Sequence, residues 1–253
     1  MALFVEFIIG DYKYYAYDTV NNYVCPQVVD NTKTSYEDMP DTVEYEGITY
    51  TIKMLSNLMP SSGCFYNCTN LITAPKLPNT AVNLKYCFYG CSSLITTPQI
   101  PDGVMYMEYC FYNCISLTCF PIVPDLVSKM DYCFYGCTSL IGEIQVYNNP
   151  STFTDIFTNI NNEISVIVKN PSALSTWQTI ADDYSNIVIN VDFTILSIDT
   201  VNNNAIIGNK TTIEDSDITD TIEFESKTFL RRGFHIKPSI VLSDLITELN
   251  WEL

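Results

Sequence analysis

The pentapeptide Cys-Phe-Tyr-(Asn/Gly)-Cys occurs four times in this chain at intervals of 23 residues, starting at Cys64, Cys87, Cys110 and Cys133. A leucine follows each second cysteine by three residues, at Leu71, Leu94, Leu117 and Leu140. Prolines recur in the first three units, at Pro75 and Pro78, Pro98 and Pro101, and Pro121 and Pro124. A strict period of this length restricts folding more than any other feature. One unit is too short to bury its own apolar face, so successive units must stack into a solenoid. Such a scaffold points toward binding or building and by itself names no partner.

Within each unit the apolar residues fit one face of a short helix. Leu84, Cys87, Phe88 and Cys91 are spaced i, i+3, i+4 and i+7. Met107, Cys110, Phe111 and Cys114 repeat the pattern, as do Met130, Cys133, Phe134 and Cys137. Both cysteines and the phenylalanine are therefore expected to point inward. The stretch after each leucine, such as Leu94 to Pro101, is short and limited by proline, which suits one strand-like rung per coil.

Eight of the ten cysteines occupy two repeat positions, and only Cys25 and Cys119 stand apart. Cys-x3-Cys pairs lie within the spacing of zinc sites. Phenylalanine, tyrosine and leucine share the same period, however, so stacking already accounts for the spacing. Disulfides are disfavoured in a reducing cytosol and by side chains that point the same way in successive coils. The reading adopted is a ladder of small, buried, free thiols.

These units resemble the BspA-type leucine-rich repeat family, through Phe88, Cys91, Leu94, Pro101 and their equivalents over residues 64–146. The family's usual alanine is replaced by cysteine at 64, 87, 110 and 133. The resemblance implies a right-handed solenoid used for recognition or as a structural module, and no catalysis. Such repeats are found in bacterial surface adhesins, microbial eukaryotes and phage structural proteins. The expected fold class is an α/β solenoid with β-rich flanking regions at both ends.

Three segments follow. Residues 1–63 form an N-terminal region and cap, with hairpins about Gly10-Asp11 and Glu46-Gly47. Residues 64–192 form the solenoid, closed by a cap at 147–192. That cap reads as a strand at Ile164–Val168, a short helix around Trp177 with Ser172 as its N-cap, and a strand from Ile187. Residues 193–253 read as a small β-rich domain with a C-terminal helix over Ser243–Leu253. On that helix Leu242, Ile246, Leu249 and Leu253 make an apolar stripe. It either packs on its own domain or, with Trp251, docks another subunit.

Charge narrows the functional classes. With 29 acidic and 12 basic residues the chain carries −17, least of it over the repeats. It would repel phosphate backbones, so nucleic acid is not an expected partner. No run of apolar residues is long enough to span a membrane, and the opening MALFVEFII lacks a basic segment and is broken by Glu6. Production in a cytosol is the expectation that follows.

No catalytic constellation emerges. His235 is the sole histidine and has no nucleophile signature beside it. Gly208-Asn209-Lys210-Thr211 lacks the glycine and lysine spacing of a phosphate loop. The acidic stretch Asp30–Asp41 lacks the glycine and closing glutamate of a calcium loop. Neither an enzyme nor a cofactor or metal site is expected.

The tyrosines carry more promise. Tyr66, Tyr89, Tyr112 and Tyr135 form one periodic column, and Tyr86, Tyr109 and Tyr132 a second, both opposite the inward residues. They are either exposed interface anchors or half-buried by stacking on one another. The expected function is a non-enzymatic interaction subunit of a larger assembly, most specifically a phage virion component in the tail, fibre or capsid. Its partners would be other protein subunits, including copies of itself, and it would assemble in the host bacterial cytoplasm. The alternative is a bacterial surface adhesin that binds host protein or glycan.

Overall fold

In the computed structural model, residues 5–56 and 62–191 are described, with the strands at 194–199, 204–208, 218–223 and 235–236. The chain divides into two compact units. One comprises Met1–Ile144 with Pro150–Glu163; the other comprises Gln145–Asn149 with Ile164–Leu253.

The first unit opens with a five-stranded sheet. Strands β1 (Glu6–Ile9) and β2 (Tyr12–Asp18) form the hairpin expected at Gly10-Asp11. After β3 (Tyr23–Val28), strands β4 (Thr42–Tyr45) and β5 (Ile48–Ile52) form the second hairpin. The order is β1-β2-β3-β5-β4, with β3 and β5 parallel. Alternation along β2 turns Tyr12, Tyr14 and Ala16 inward. The sheet curls far enough for Phe7 on β1 to stack on Tyr45 of β4, with ring centroids 4.4 Å apart.

The repeats follow as stacked coils. Parallel bridges link Asn83, Tyr106, Lys129 and Thr152, one residue per coil. The apolar residues lie inward as the periodicity requires: Phe65, Phe88, Phe111 and Phe134 are fully buried, as are the leucines at 71, 94, 117 and 140.

The expected helix is absent from the repeats, where the Cys-Phe-Tyr segments are successive turns. Two residues of the turn explain this. Tyr86 and Gly90 adopt left-handed φ of 58° and 71°, and Tyr109 and Asn113, then Tyr132 and Gly136, do the same in later coils. A left-handed residue ends a right-handed helix. The freed N–H groups then alternate in direction. Those of Leu84, Tyr86, Phe88 and Gly90 donate to the carbonyls of Tyr106, Glu108, Cys110 and Tyr112 in the next coil, while those of Cys87, Tyr89 and Cys91 return to Leu84, Tyr86 and Phe88. Every second backbone donor thus ties one coil to the next. The architecture of the repeats is a solenoid of turns and single-residue rungs, so the α/β label does not hold for them.

A fifth coil lies in what the sequence suggested was cap. Thr152 is bridged to Lys129, Asp155 and Asn159 take the left-handed positions, and Phe157 stacks on Phe134 with centroids 6.3 Å apart. Ile156 and Ile160 replace the two cysteines and are buried.

At the other end, residues 30–41 lie along the first coil in place of a further one. The Thr34 carbonyl accepts from Ile72 N–H at 3.0 Å, just as Ile72 accepts from Ile95 and Ile95 from Thr118. Carboxylates complete the seam: Asp38 accepts the Lys76 N–H at 2.8 Å and Asp41 the Asn79 N–H at 2.6 Å. The acidic stretch therefore caps the backbone donors of an exposed edge.

The second unit is built on a four-stranded sheet in the order β12-β8-β7-β6, from strands β6 (Gly142–Val146), β7 (Ile164–Val168), β8 (Ile187–Val191) and β12 (His235–Ile236). Helix α1 (Leu174–Asp182) joins the parallel pair β7 and β8, as Trp177 had suggested. Trp177 is buried and donates its indole N–H to the Asn148 carbonyl at 3.0 Å. Ser172 is not the N-cap. It lies in a preceding 3-10 turn with its hydroxyl on Asn170, and Ala173 holds the cap position without a side-chain bond. Strands β9 (Thr194–Asp199), β10 (Asn204–Gly208) and β11 (Ile218–Glu223) form an antiparallel meander. The tail Ser243–Leu253, with Leu249, Trp251 and Leu253, lies outside the described residues.

Candidate interaction surface

The left-handed turn that breaks the helix also positions the tyrosines. Tyr86, Tyr109 and Tyr132 are themselves left-handed residues, and Tyr89, Tyr112 and Tyr135 each follow by three positions. Each column becomes a stack. Rings 66, 89, 112 and 135 lie at centroid separations of 4.8, 4.7 and 4.7 Å, and their planes diverge by 11°, 1° and 1°. Rings 86, 109 and 132 lie 4.7 and 4.8 Å apart. The columns touch within a coil, as at Tyr86 and Tyr89, 6.0 Å apart.

All seven tyrosines are half-buried. Each interior ring has both faces covered by its neighbours, so what remains for solvent or a partner is the ring edge and the phenolic hydroxyl. The interior rings Tyr89, Tyr109 and Tyr112 therefore present no open π face on which a sugar ring could stack. Burial and neighbouring phenols raise the ionisation of Tyr89, Tyr109 and Tyr112 above the ordinary value, so these hydroxyls stay protonated.

Beneath this surface runs a phenylalanine column, Phe65 to Phe157, with successive planes within 5° of parallel. Two thiol columns flank it. Cys91, Cys114 and Cys137 each donate to a phenylalanine carbonyl of the preceding coil, at 3.1, 3.1 and 3.0 Å. These thiols therefore add hydrogen bonds to their role as filler. Burial drives the repeat thiols upward, Cys68 to about 11 and Cys137 to about 12, and Cys87, Cys110 and Cys133 well above the ordinary value. They remain thiols at neutral pH, a form with little nucleophilic reactivity.

Charge beside the tyrosines varies along the stack. Lys85 lies over the Tyr86 ring, 5.5 Å from its centroid, and its ammonium is 3.6 Å from Glu108 one coil on. The next residue in that column is Asp131, whose carboxylate accepts the Thr154 N–H at 2.8 Å.

A second surface escaped the sequence reading. Ile72, Ile95 and Thr118, with Thr34, Asn70, Ser93 and Ser116, line a shallow groove over the rungs after the leucines. Its signal was available: Ile72, Ile95 and Ile141 share the 23-residue period and are exposed. Among the described residues no three His, Cys, Asp or Glu side chains are grouped to hold a metal ion, and no helix is long and apolar enough to cross a membrane.

The fold and its periodic faces define a repeat protein, and comparison with known proteins agrees. Residues 60–179 match the family model described as BspA type leucine rich repeat region, in six copies. The chain is also similar to a leucine-rich repeat protein from Bacteroides ovatus known from its crystal structure, at 18% identity and a TM-score of 0.44. The match covers 65% of this chain and 49% of that one, about half its length. No curated protein matches the chain.

Proposed function

We propose that this chain is a non-enzymatic interaction subunit of a larger protein assembly, and that the tyrosine face is where it docks. The observation that carries this is the double stack of seven tyrosines. Leucine-rich repeat regions generally mediate protein–protein contacts, and tyrosine is among the residues enriched at interface hot spots. Stacking holds these rings in place before a partner arrives, so little side-chain entropy is lost on binding.

The specific assembly proposed is a virion, with the chain as a tail, fibre or capsid-associated component put together in the cytoplasm of a bacterial host. Acidic flanks keep such a subunit soluble until assembly, and the carboxylate-lined strap at 30–41 guards an edge that would otherwise template pairing. The second reading, a bacterial surface adhesin, draws on the same face. A protein ligand suits it better than a glycan, because both π faces of the interior rings Tyr89, Tyr109 and Tyr112 are already occupied.

The test is the pair Tyr89→Phe and Tyr112→Phe, which keeps both rings in the stack and removes two hydroxyls. The double variant is expected to retain its melting temperature and to be depleted from purified particles, measured by quantitative mass spectrometry. Undiminished incorporation would contradict the assignment of the surface.

A further inference from the structure

We infer that the tyrosine face pairs with the same face of a second copy of this chain, about a two-fold axis lying between the second and third coils. The inference rests on the reading of that face as an interaction surface and adds the partner. Its basis is the spacing. Four tyrosines repeat at 4.8, 4.7 and 4.7 Å, and a partner must present groups at that interval to meet more than one or two of them.

Common partners do not keep step. An extended peptide advances about 6.6 Å between side chains on one face, and an α-helix about 5.4 Å per turn. The extended peptide drifts by about 1.9 Å per contact and is out of register within two, and the helix drifts by about 0.7 Å per contact, so it is about 2 Å out by the fourth ring. Only stacked strands or coils repeat at about 4.8 Å, and the array on hand with that period is this one. The four-membered column is also centred between Tyr89 and Tyr112, so an axis there sets Tyr89 of one copy against Tyr112 of the other, and Tyr66 against Tyr135.

Charge selects the direction. Lys85 belongs to the second coil and Glu108 to the third, and the Lys85 side chain is 40% exposed. With the coils antiparallel, Lys85 of each copy faces the coil that bears Glu108 in the other. A parallel arrangement would instead set each Lys85 level with the other Lys85 and one coil away from the other copy's Glu108. Glu108 is mostly covered, at 8% exposure, so the attraction acts through space and not by contact. The face is narrow, which places the interface at the small end of specific contacts. Association is therefore weak for a free pair and reinforced where many copies are held side by side.

The experiment uses the full chain with Cys119→Ser, which removes the exposed thiol. Tyr89→Cys and Tyr112→Cys chains are treated with a short bis-maleimide cross-linker, separately and as a mixture. The expected result is an 89–112 cross-link in the mixture, formed several-fold faster than 89–89 or 112–112 links. Should the cysteine variants fold poorly, sedimentation of the unaltered chain and of Lys85→Met provides an independent reading. The expected result there is reversible self-association that weakens several-fold in Lys85→Met. A chain that stays monomeric into the millimolar range, or 89–89 links that dominate, would overturn the two-fold pairing. If such a monomer still shows its tyrosines protected in native particles, the interaction surface stands and only the second copy is lost as its partner.

Discussion

The side-chain oxygen of Asn67 lies where the β-carbon of any larger residue at Gly90 would be, 2.2 Å from that position. Asn113 and Gly136 repeat the relationship two coils later, again at 2.2 Å. All four residues have left-handed φ, so the position needs asparagine or glycine for its backbone. Packing then forces the two to alternate, because an asparagine can reach only a neighbour that lacks a side chain. Gly90→Ala is expected to cost about 2–3 kcal/mol, combining left-handed strain with the clash. In an Asn67→Gly background the clash is gone and about 1–2 kcal/mol should remain. Urea unfolding of the four chains in the cycle measures the coupling.

The two aromatic columns should differ in what they contribute. Phe111 is fully buried, and Phe111→Ala is expected to destabilise by about 3–5 kcal/mol. Tyr112 is half-buried between Tyr89 and Tyr135, so Tyr112→Ala should cost about 2 kcal/mol. Tyr112→Phe keeps the stack and should stay within about 0.5 kcal/mol of the native chain. Thermal or urea denaturation ranks the three.

Thiol chemistry should separate one cysteine from the rest. Cys119 is exposed, and the repeat cysteines are buried with raised ionisation. A disulfide reagent at neutral pH is expected to label Cys119 rapidly and the repeat thiols only after unfolding. Rapid native labelling of Cys87 or Cys110, mapped by peptide analysis, would mean that the coils open.

Acid should loosen the N-terminal seam. Asp11 is paired with Lys33 and accepts the Glu37 N–H at 3.0 Å. The lysine, ahead of that backbone bond, holds its carboxyl below the ordinary 3.8. A carboxyl whose folded value is depressed adds stability that is complete above the unfolded value and lost as pH falls through the folded one. The contribution is therefore present at neutral pH and is lost only as pH falls below the ordinary carboxyl value of 3.8. Asp11→Asn should be less stable than the native chain at pH 7, and the gap should narrow progressively as pH falls below 3.8. A gap that stays constant across that acid range would assign Asp11 a different role.

How the repeat became legible, and where it misled, both follow from one ambiguity. Cys87, Phe88 and Cys91 occupy i, i+1 and i+4, a spacing that fits a helix and also fits a chain of tight turns with the same residues inward. Burial is common to both, so the core was readable in Phe88, Leu94 and their equivalents. Backbone type was not, because it depends on Tyr86 adopting a left-handed φ of 58°, which tyrosine seldom does. The inter-coil bonds that hold it there arise only once coils stack. The same stacking gave the tyrosines their ring-on-ring geometry, whereas the sequence could fix only their side of the coil. The fifth coil was hidden because Ile156, Phe157 and Ile160 keep the volume of the pattern while losing its cysteines. Hairpins at Gly10 and Gly47 were plain, since local turn chemistry sets them.

The docking surface proposed for this chain is the edges and hydroxyls of the tyrosine columns. Hydroxyl-radical footprinting of the tyrosines, in the isolated chain and in the native assembly, tests it most directly. Modification of Tyr66, Tyr89, Tyr112 and Tyr135 is expected to fall at least several-fold on assembly, while the groove residues Ile72 and Ile95 change little. Equal modification of those four tyrosines in both states would contradict it.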